Sequence, residues 1–443
     1  MRLLKLTLLM GLVFFTTGCN IESRSPEQLL KEKPIYSKEK ESLYKGINQV
    51  ILNATLELPK NSKDVGQINE EYLDIDGTKE VIAFSKKENQ NKGTSEVGFT
   101  ILSKNNNETY DAKGSQYIHG DSIEYAKFCD LNNDDHKEII FLSKLGYTYD
   151  LNIYSYKDNK ISKLYSLDSA IENLDVKISV SDIDDDKKED ILLITFDSAT
   201  KKANISVLDF DKKLNLKGNV EIDDVKNIND LYITIGNVAP KKKGIVLDIP
   251  TIYNEYKTQI VLFDNGELKK ALNDFYTTKS YYIPSQDFNN DKVIEIPIGY
   301  ITGNNYNKNE ASNVSWYRWN GKFDDDSEIV FVSEIYYNYK YNFKFLLPNN
   351  IAKKLDVTQD IENKDTLFKF SYYDELKNLK DLFSISVISK KSIDESKVMT
   401  TSNGIILNES LDNTFVLYIN DIQEMEKLKI TEESLKEYFS LIY

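Results

Sequence analysis

Asp182-Ile183-Asp184-Asp185-Asp186-Lys187-Lys188-Glu189-Asp190-Ile191-Leu192 is the stretch on which the fold turns. Acids alternate through its first half, and an apolar, β-prone run follows at once. The same shape recurs at Asp74-Ile75-Asp76-Gly77-Thr78-Lys79-Glu80, at Asp130-Leu131-Asn132-Asn133-Asp134-Asp135-His136-Lys137-Glu138 and at Asp287-Phe288-Asn289-Asn290-Asp291-Lys292-Val293-Ile294-Glu295. The first three copies start 52 to 56 residues apart, and the last interval is about twice as long. Its midpoint holds Gly236-Asn237-Val238-Ala239-Pro240-Lys241-Lys242-Lys243-Gly244-Ile245, a loop then a strand without the acids. The chain therefore contains five units of about 53 residues, and a period of that size marks a repeat architecture.

Each unit carries a second signal about two dozen residues further on: strand, tight turn, strand. Examples are Ile153-Tyr154-Ser155-Tyr156 before Asp158-Asn159, Val207-Leu208-Asp209-Phe210 before Asp211-Lys212, Val261-Leu262-Phe263 before Asp264-Asn265-Gly266, and Trp316-Tyr317-Arg318-Trp319 before Asn320-Gly321. Asn-Gly between apolar runs is a strong hairpin signal. Two hairpins per unit make four strands, the content of one propeller blade. The predicted fold is mainly β: a β-propeller of about five four-stranded blades over residues 65–335, then a small α+β domain over 336–443.

These units resemble the FG-GAP/VCBS repeats of integrin-like β-propellers. The Phe-Gly and Gly-Ala-Pro elements that name the repeat are not visible. Calcium needs six or more hard oxygens, and alternation along a short loop supplies them. In the second unit the candidate ligands are Asp130, Asn132, Asp134, the His136 carbonyl and Glu138, at positions 1, 3, 5, 7 and 9. The third offers Asp182, Asp184, Asp186, the Lys188 carbonyl and Asp190. The fifth offers Asp287, Asn289, Asp291, the Val293 carbonyl and Glu295. An EF-hand is excluded, because its last ligand stands at position 12 between helices. The resemblance implies a structural calcium ion in each loop. It also implies Gly at position 6, where the turn favours positive φ; this chain has Asp135, Lys187 and Lys292 there. The loop at 74 is two residues shorter.

The N-terminus sets the compartment. Arg2 and Lys5 precede an apolar run from Leu6 to Thr17, and Thr16-Thr17-Gly18-Cys19 follows. A basic start, a short apolar core and small residues before the cut describe an export signal. The run is too short to span a membrane as a helix. Its end is similar to a bacterial lipobox, with Thr16 where Leu is usual. That resemblance implies cleavage after residue 18 and lipid on Cys19, which would fix the protein to the extracytoplasmic face of the cell membrane. Residues 19–64 are predicted to form a tether with Pro26 and Pro34, then a helix from about Lys38 to Asn53 with Leu43, Ile47, Val50 and Ile51 on one face. Once Cys19 is lipidated, Cys129 has no partner and reads as a small buried apolar residue.

Composition narrows the function. A formal net charge of −15 and a pI near 4.9 repel nucleic acid. There are two histidines, His119 and His136, and neither has metal-ligand spacing. The chain lacks a nucleophile elbow, a phosphate loop and HExxH. The expectation is a non-enzyme: a lipid-anchored binding or scaffold protein whose ligand is an extracytoplasmic protein or glycan. The alternatives are an accessory subunit in envelope assembly or signalling, favoured by an exposed apolar patch on 336–443, and a secreted hydrolase of envelope polymers. Paired carboxylates and aromatic residues in one large pocket would favour the hydrolase.

Overall fold

A computed structural model describes residues 38–51, 53–89, 93–300, 311–323, 329–362, 365–390 and 404–442. The export signal, Cys19 and the tether lie outside the described residues. The chain forms six antiparallel sheets in sequence order. Sheet one comprises Ala54–Leu56, Ile68–Glu71, Glu80–Asn89, Thr94–Lys104 and Tyr110–His119. Sheet two is Ser122–Cys129, Glu138–Leu145, Thr148–Lys157 and Lys160–Glu172; sheet three is Asp175–Ser181, Asp190–Asp197, Lys202–Phe210 and Leu214–Ile222. Sheet four is Tyr232–Ala239, Lys242–Pro250, Tyr256–Asp264 and Glu267–Lys270, with Thr278–Lys279 added beside Tyr256.

Why such sheets stack is visible in their second strands. Glu138–Leu145 is buried at its first six positions, and Asp190–Asp197 at its first five. Side chains alternate between the faces of a strand, so an unbroken apolar run means that both faces are covered. Ile139 and Phe141 pack with Phe84 and Phe99 of sheet one, while Ile140 and Leu142 pack with Ile191 and Leu193 of sheet three. Leu192 and Ile194 then face Ile245 and Leu247 of sheet four. Val246 and Ile260 face Ile296 and Trp319 of sheet five. This is the blade-on-blade packing of a mainly β propeller architecture.

The boundary expected at residue 336 falls inside a strand. Sheet five consists of Ile296–Tyr300, Ala311–Trp319, Ile329–Asn338 and Phe343–Leu347, and the chain returns at Phe439–Leu441 to pair with Phe343–Phe345. Phe343 and Phe345 alternate inward, and their core includes Leu355, Val357 and the strands beyond them, so no seam divides the chain here. The remaining segment is α+β: Leu355–Glu362, Asp365–Tyr373, Leu379–Ser389, Ile405–Glu409 and Asn413–Ile419 form sheet six, with helices Ile422–Lys427 and Glu432–Tyr438. Phe368, Phe370, Phe383 and Phe415 close its core against Phe343 and Phe345. The start expected at residue 65 also moves, since Ala54–Leu56 already pairs with Ser85–Lys87.

The N-terminal helix is Lys38–Val50. Leu43, Ile47 and Ile51 are buried on Val81, Ala83, Leu102 and Tyr110, the face of sheet one turned away from sheet two. The helix comes close because of Gly46: a Cβ there would stand 2.8 Å from Tyr110 Cβ. Among the described residues no core cluster joins sheet six to sheet one.

Candidate metal loops and an exposed aromatic face

The repeated loops share one address. Residues 130–137 and 182–189 each join the first strand of a sheet to its second, and residues 74–79 join Ile68–Glu71 to Glu80–Asn89 in sheet one. The loop at 287 is closed by a Gln286–Glu295 bridge before Ile296–Tyr300, and the acid-free copy is the tight turn at 240–241. The backbone path is common to the full loops. Position 4 has positive φ in all three (Asn133 57°, Asp185 67°, Asn290 62°), and so does position 6 (Asp135 66°, Lys187 71°, Lys292 71°). Asn and Asp tolerate this region; Lys does so at a cost. The missing Gly therefore does not prevent the loop conformation.

Hydrogen bonds explain why the acids alternate. Asp130 Oδ1 accepts the Asp134 N–H at 3.1 Å and its Oδ2 the Asp135 N–H at 2.9 Å, and Asp134 Oδ1 accepts the His136 N–H at 3.1 Å. Asp287 and Asp291 repeat this with Asp291, Lys292 and Val293. Asp182 and Asp186 take the N–H groups of Asp185, Lys187 and Lys188. The last acid stands at the start of the strand that follows the loop, or just before it in the case of Glu295, is fully buried, and accepts the N–H of position 2. The pairs are Leu131 to Glu138 at 2.9 Å, Ile183 to Asp190 at 3.0 Å and Phe288 to Glu295 at 3.3 Å. Leu73 to Glu80, at 3.2 Å, keeps the same bond in the shortened loop. Burial pushes Glu138 and Glu295 up to about 7, and raises Asp190 and Glu80 as well.

The loops differ in their cations. Among the described residues Lys157 Nζ pairs with Asp134, at 2.6 Å, and Arg318 with Asp291, at 3.5 Å; both acids are outer, partly exposed ones. In the third loop Lys217 Nζ contacts Asp184, Asp190 at 3.1 Å and Asp186 at 3.5 Å, and Lys243 of sheet four meets Asp182 at 3.0 Å. Burial pulls Lys217 down, but its bonds to Asp184 and Asp190 outweigh that and hold it above the ordinary lysine range. Asp182, Asp184 and Asp190 gather their oxygens within 4.8 Å, close enough to hold a metal ion. Among the described residues no other such group of three forms, so the acids of the loops at 130 and 287 stand further apart.

Chemically, the second and fifth loops fit a hard cation. Each offers three carboxylates, an amide oxygen and a backbone carbonyl within nine residues. The amides of Asn132 and Asn289 now point their nitrogens at Glu138 and Glu295, 3.4 and 3.3 Å away. His136 has a role that spacing did not suggest. Its ring approaches Asp74, with Nε2 4.0 Å from Oδ1, and links the loops of sheets one and two. Lys217 was equally invisible, since nothing in the loop's own spacing points to a residue two strands away.

At the opposite end of sheet four lies an aromatic face. Tyr232 opens the first strand and Tyr256 the third. Tyr282 stacks on Tyr232 with ring centroids 4.0 Å apart, and Tyr256 stands 5.3 Å from Tyr282. On the turn before Tyr256, Tyr253 is 65% exposed and Ile252 is open to solvent, and in the short helix Asp274–Thr277, Phe275 is 82% exposed and Tyr276 is also open. Elsewhere a cleft of about 420 Å³ lies between the loop at 287 and the chain's last helix, lined by Asp287, Tyr337, Lys344, Glu437 and Tyr438 among others. Both Asp287 oxygens are engaged by backbone N–H groups. Glu437 is the other carboxylate among the described residues that line it.

No family model matches the sequence, and no curated protein matches it. Solved structures that it is similar to include the periplasmic gluconolactonase of Pseudomonas aeruginosa, at 10% identity over 72% of this chain and 85% of that one, with a TM-score of 0.30. An exotype rhamnogalacturonan lyase matches at 12% identity over 74% and 83%, also at 0.30. The Aleuria aurantia lectin matches at 10% identity over 71% and 89%, at 0.26. Likenesses at these scores say nothing about activity, which has to be sought in the chain's own residues.

Proposed function

We propose that this protein is a lipid-anchored, extracytoplasmic binding or scaffold lipoprotein of the FG-GAP/VCBS type, not an enzyme, and that its ligand is a glycan or protein that docks on the aromatic end of sheet four. The observation that carries this reading is the stacked Tyr232–Tyr282 pair with Tyr256 beside it, Tyr232 and Tyr256 standing on strands of sheet four, and Tyr253 and Phe275 exposed on the adjoining turn and short helix. Flat aromatic faces stack on apolar sugar faces and anchor protein contacts with little loss of side-chain freedom. The buried acids support binding over catalysis. Glu138 and Glu295 have the affinity of a general acid, yet each is sealed from solvent and tied to a backbone N–H. At the other end, the loops at 130 and 287 hold structural calcium through Asp130, Asn132, Asp134, the His136 carbonyl and Glu138, and through Asp287, Asn289, Asp291, the Val293 carbonyl and Glu295. The ion supplies the positive charge that lets these oxygens converge.

The test is a glycan array and binding to purified envelope polymers, comparing the native chain with Tyr232→Ala and Phe275→Ala. Loss of about tenfold in affinity, ~1.4 kcal/mol, with unchanged melting temperature supports the aromatic end as the docking face. Undiminished binding by both variants removes it.

A further inference from the structure

We infer that Lys217 is a tethered cation standing where a metal ion would stand in the third loop, so that this loop is built to hold its shape without calcium. Lys217 is the extra residue of a β-bulge. Val207 pairs with Gly218 and Leu208 with Leu216, which leaves Lys217 unpaired between them. A bulge re-aims the side chain it carries, and this one is aimed at three acids, with its own side chain only 20% exposed.

The neighbouring sheets supply the internal comparison. Sheet two bulges between the same third and fourth strands, where the extra residue is Leu164, and sheet five bulges between its second and third, where the extra residue is Val332. Neither can place a charge in its loop. Those are also the two full loops whose acids do not gather. Opposite charge nearby favours the ionised form of clustered carboxylates, and Lys217 serves three acids of its loop at once, whereas Lys157 and Arg318 each meet one outer acid. The third loop's oxygens are not all consumed: Asp184 Oδ1 is buried without a hydrogen-bond partner. Replacing Lys217 by an apolar residue would therefore leave a collected set of oxygens and a net deficit of positive charge, which is a calcium site.

The experiment counts calcium ions bound by the purified full chain, by titration calorimetry and by equilibrium dialysis. It compares the native protein with Lys217→Leu, which imports the residue of sheet two, and with Asp184→Asn. Lys217→Leu is expected to bind one ion more than the native chain. In chelator its melting temperature is expected to drop, and millimolar calcium to restore it. Asp184→Asn is expected to leave the native ion count unchanged. A folded Lys217→Leu that gains no ion overturns the inference. So does an Asp184→Asn protein that loses one, and this second variant decides the matter if the first does not fold. The differences are read against the native count, so they hold whether or not the loops at 130 and 287 bind metal.

Discussion

Glu138 shows how one side chain ties structure to conditions. It opens a strand, is fully buried, and holds the Leu131 N–H at 2.9 Å. Its folded affinity for a proton, about 7, lies above the unfolded value of 4.5. Between those values the folded chain keeps a proton that the unfolded chain releases, so stability is greatest below about pH 4.5 and is lost as pH rises through 7. In chelator, melting temperature should therefore fall from pH 5 to pH 7.5, by an amount corresponding to at most roughly 3 kcal/mol for this group. Glu138→Gln should flatten that slope, and an unchanged slope in the variant would contradict the assignment. Lys187, at φ 71°, carries a different strain. Lys187→Gly relieves the left-handed backbone but adds freedom to the unfolded chain. The net expectation is a small gain of about 0.5 kcal/mol in a denaturant melt. At this scale the sequence was partly legible. Alternation of acids located the loops, because hydrogen bonding to consecutive N–H groups needs that spacing. It could not reveal that the position 9 acid is buried, nor that Lys217 would reach back to it, since both depend on register between strands distant in sequence.

Among the elements, the N-terminal helix is the most exposed to a single change. Gly46 lets Lys38–Val50 lie against Tyr110, and an added methyl would meet its Cβ at 2.8 Å. Gly46→Ala gains helix propensity of about 1 kcal/mol in isolation, but the helix must lift off the sheet, and overpacking of this kind costs about 1–3 kcal/mol. The expected outcome is net destabilisation, with faster amide exchange in Glu80–Asn89 than in Asp190–Asp197. Equal protection of the two strands would show that the helix does not support sheet one. The helix was legible from the spacing of Leu43, Ile47 and Ile51. The strands of sheets two and three were legible as well, because their apolar runs are long and bounded by turns. The division at 336 was not, because Ile329–Asn338 and Phe343–Leu347 lack the repeat's acidic loop while their aromatic residues serve two sheets at once.

For the molecule as a whole, the lipid anchor proposed at Cys19 can be tested directly. If it holds, a formal charge of −15 beside an anionic membrane would repel the body from the surface. Cys19→Ser should move the protein from the membrane fraction to the medium and abolish labelling by radioactive palmitate. Retention of the label would place the lipid on another residue. The covering of sheet one by a helix has a wider consequence. Here the first face is sealed by Leu43, Ile47 and Ile51, and each later sheet meets its successor through a core of its own. Each junction then contributes its own share to stability. Loss of the helix would be felt first in sheet one, and only through the successive cores in the sheets beyond it.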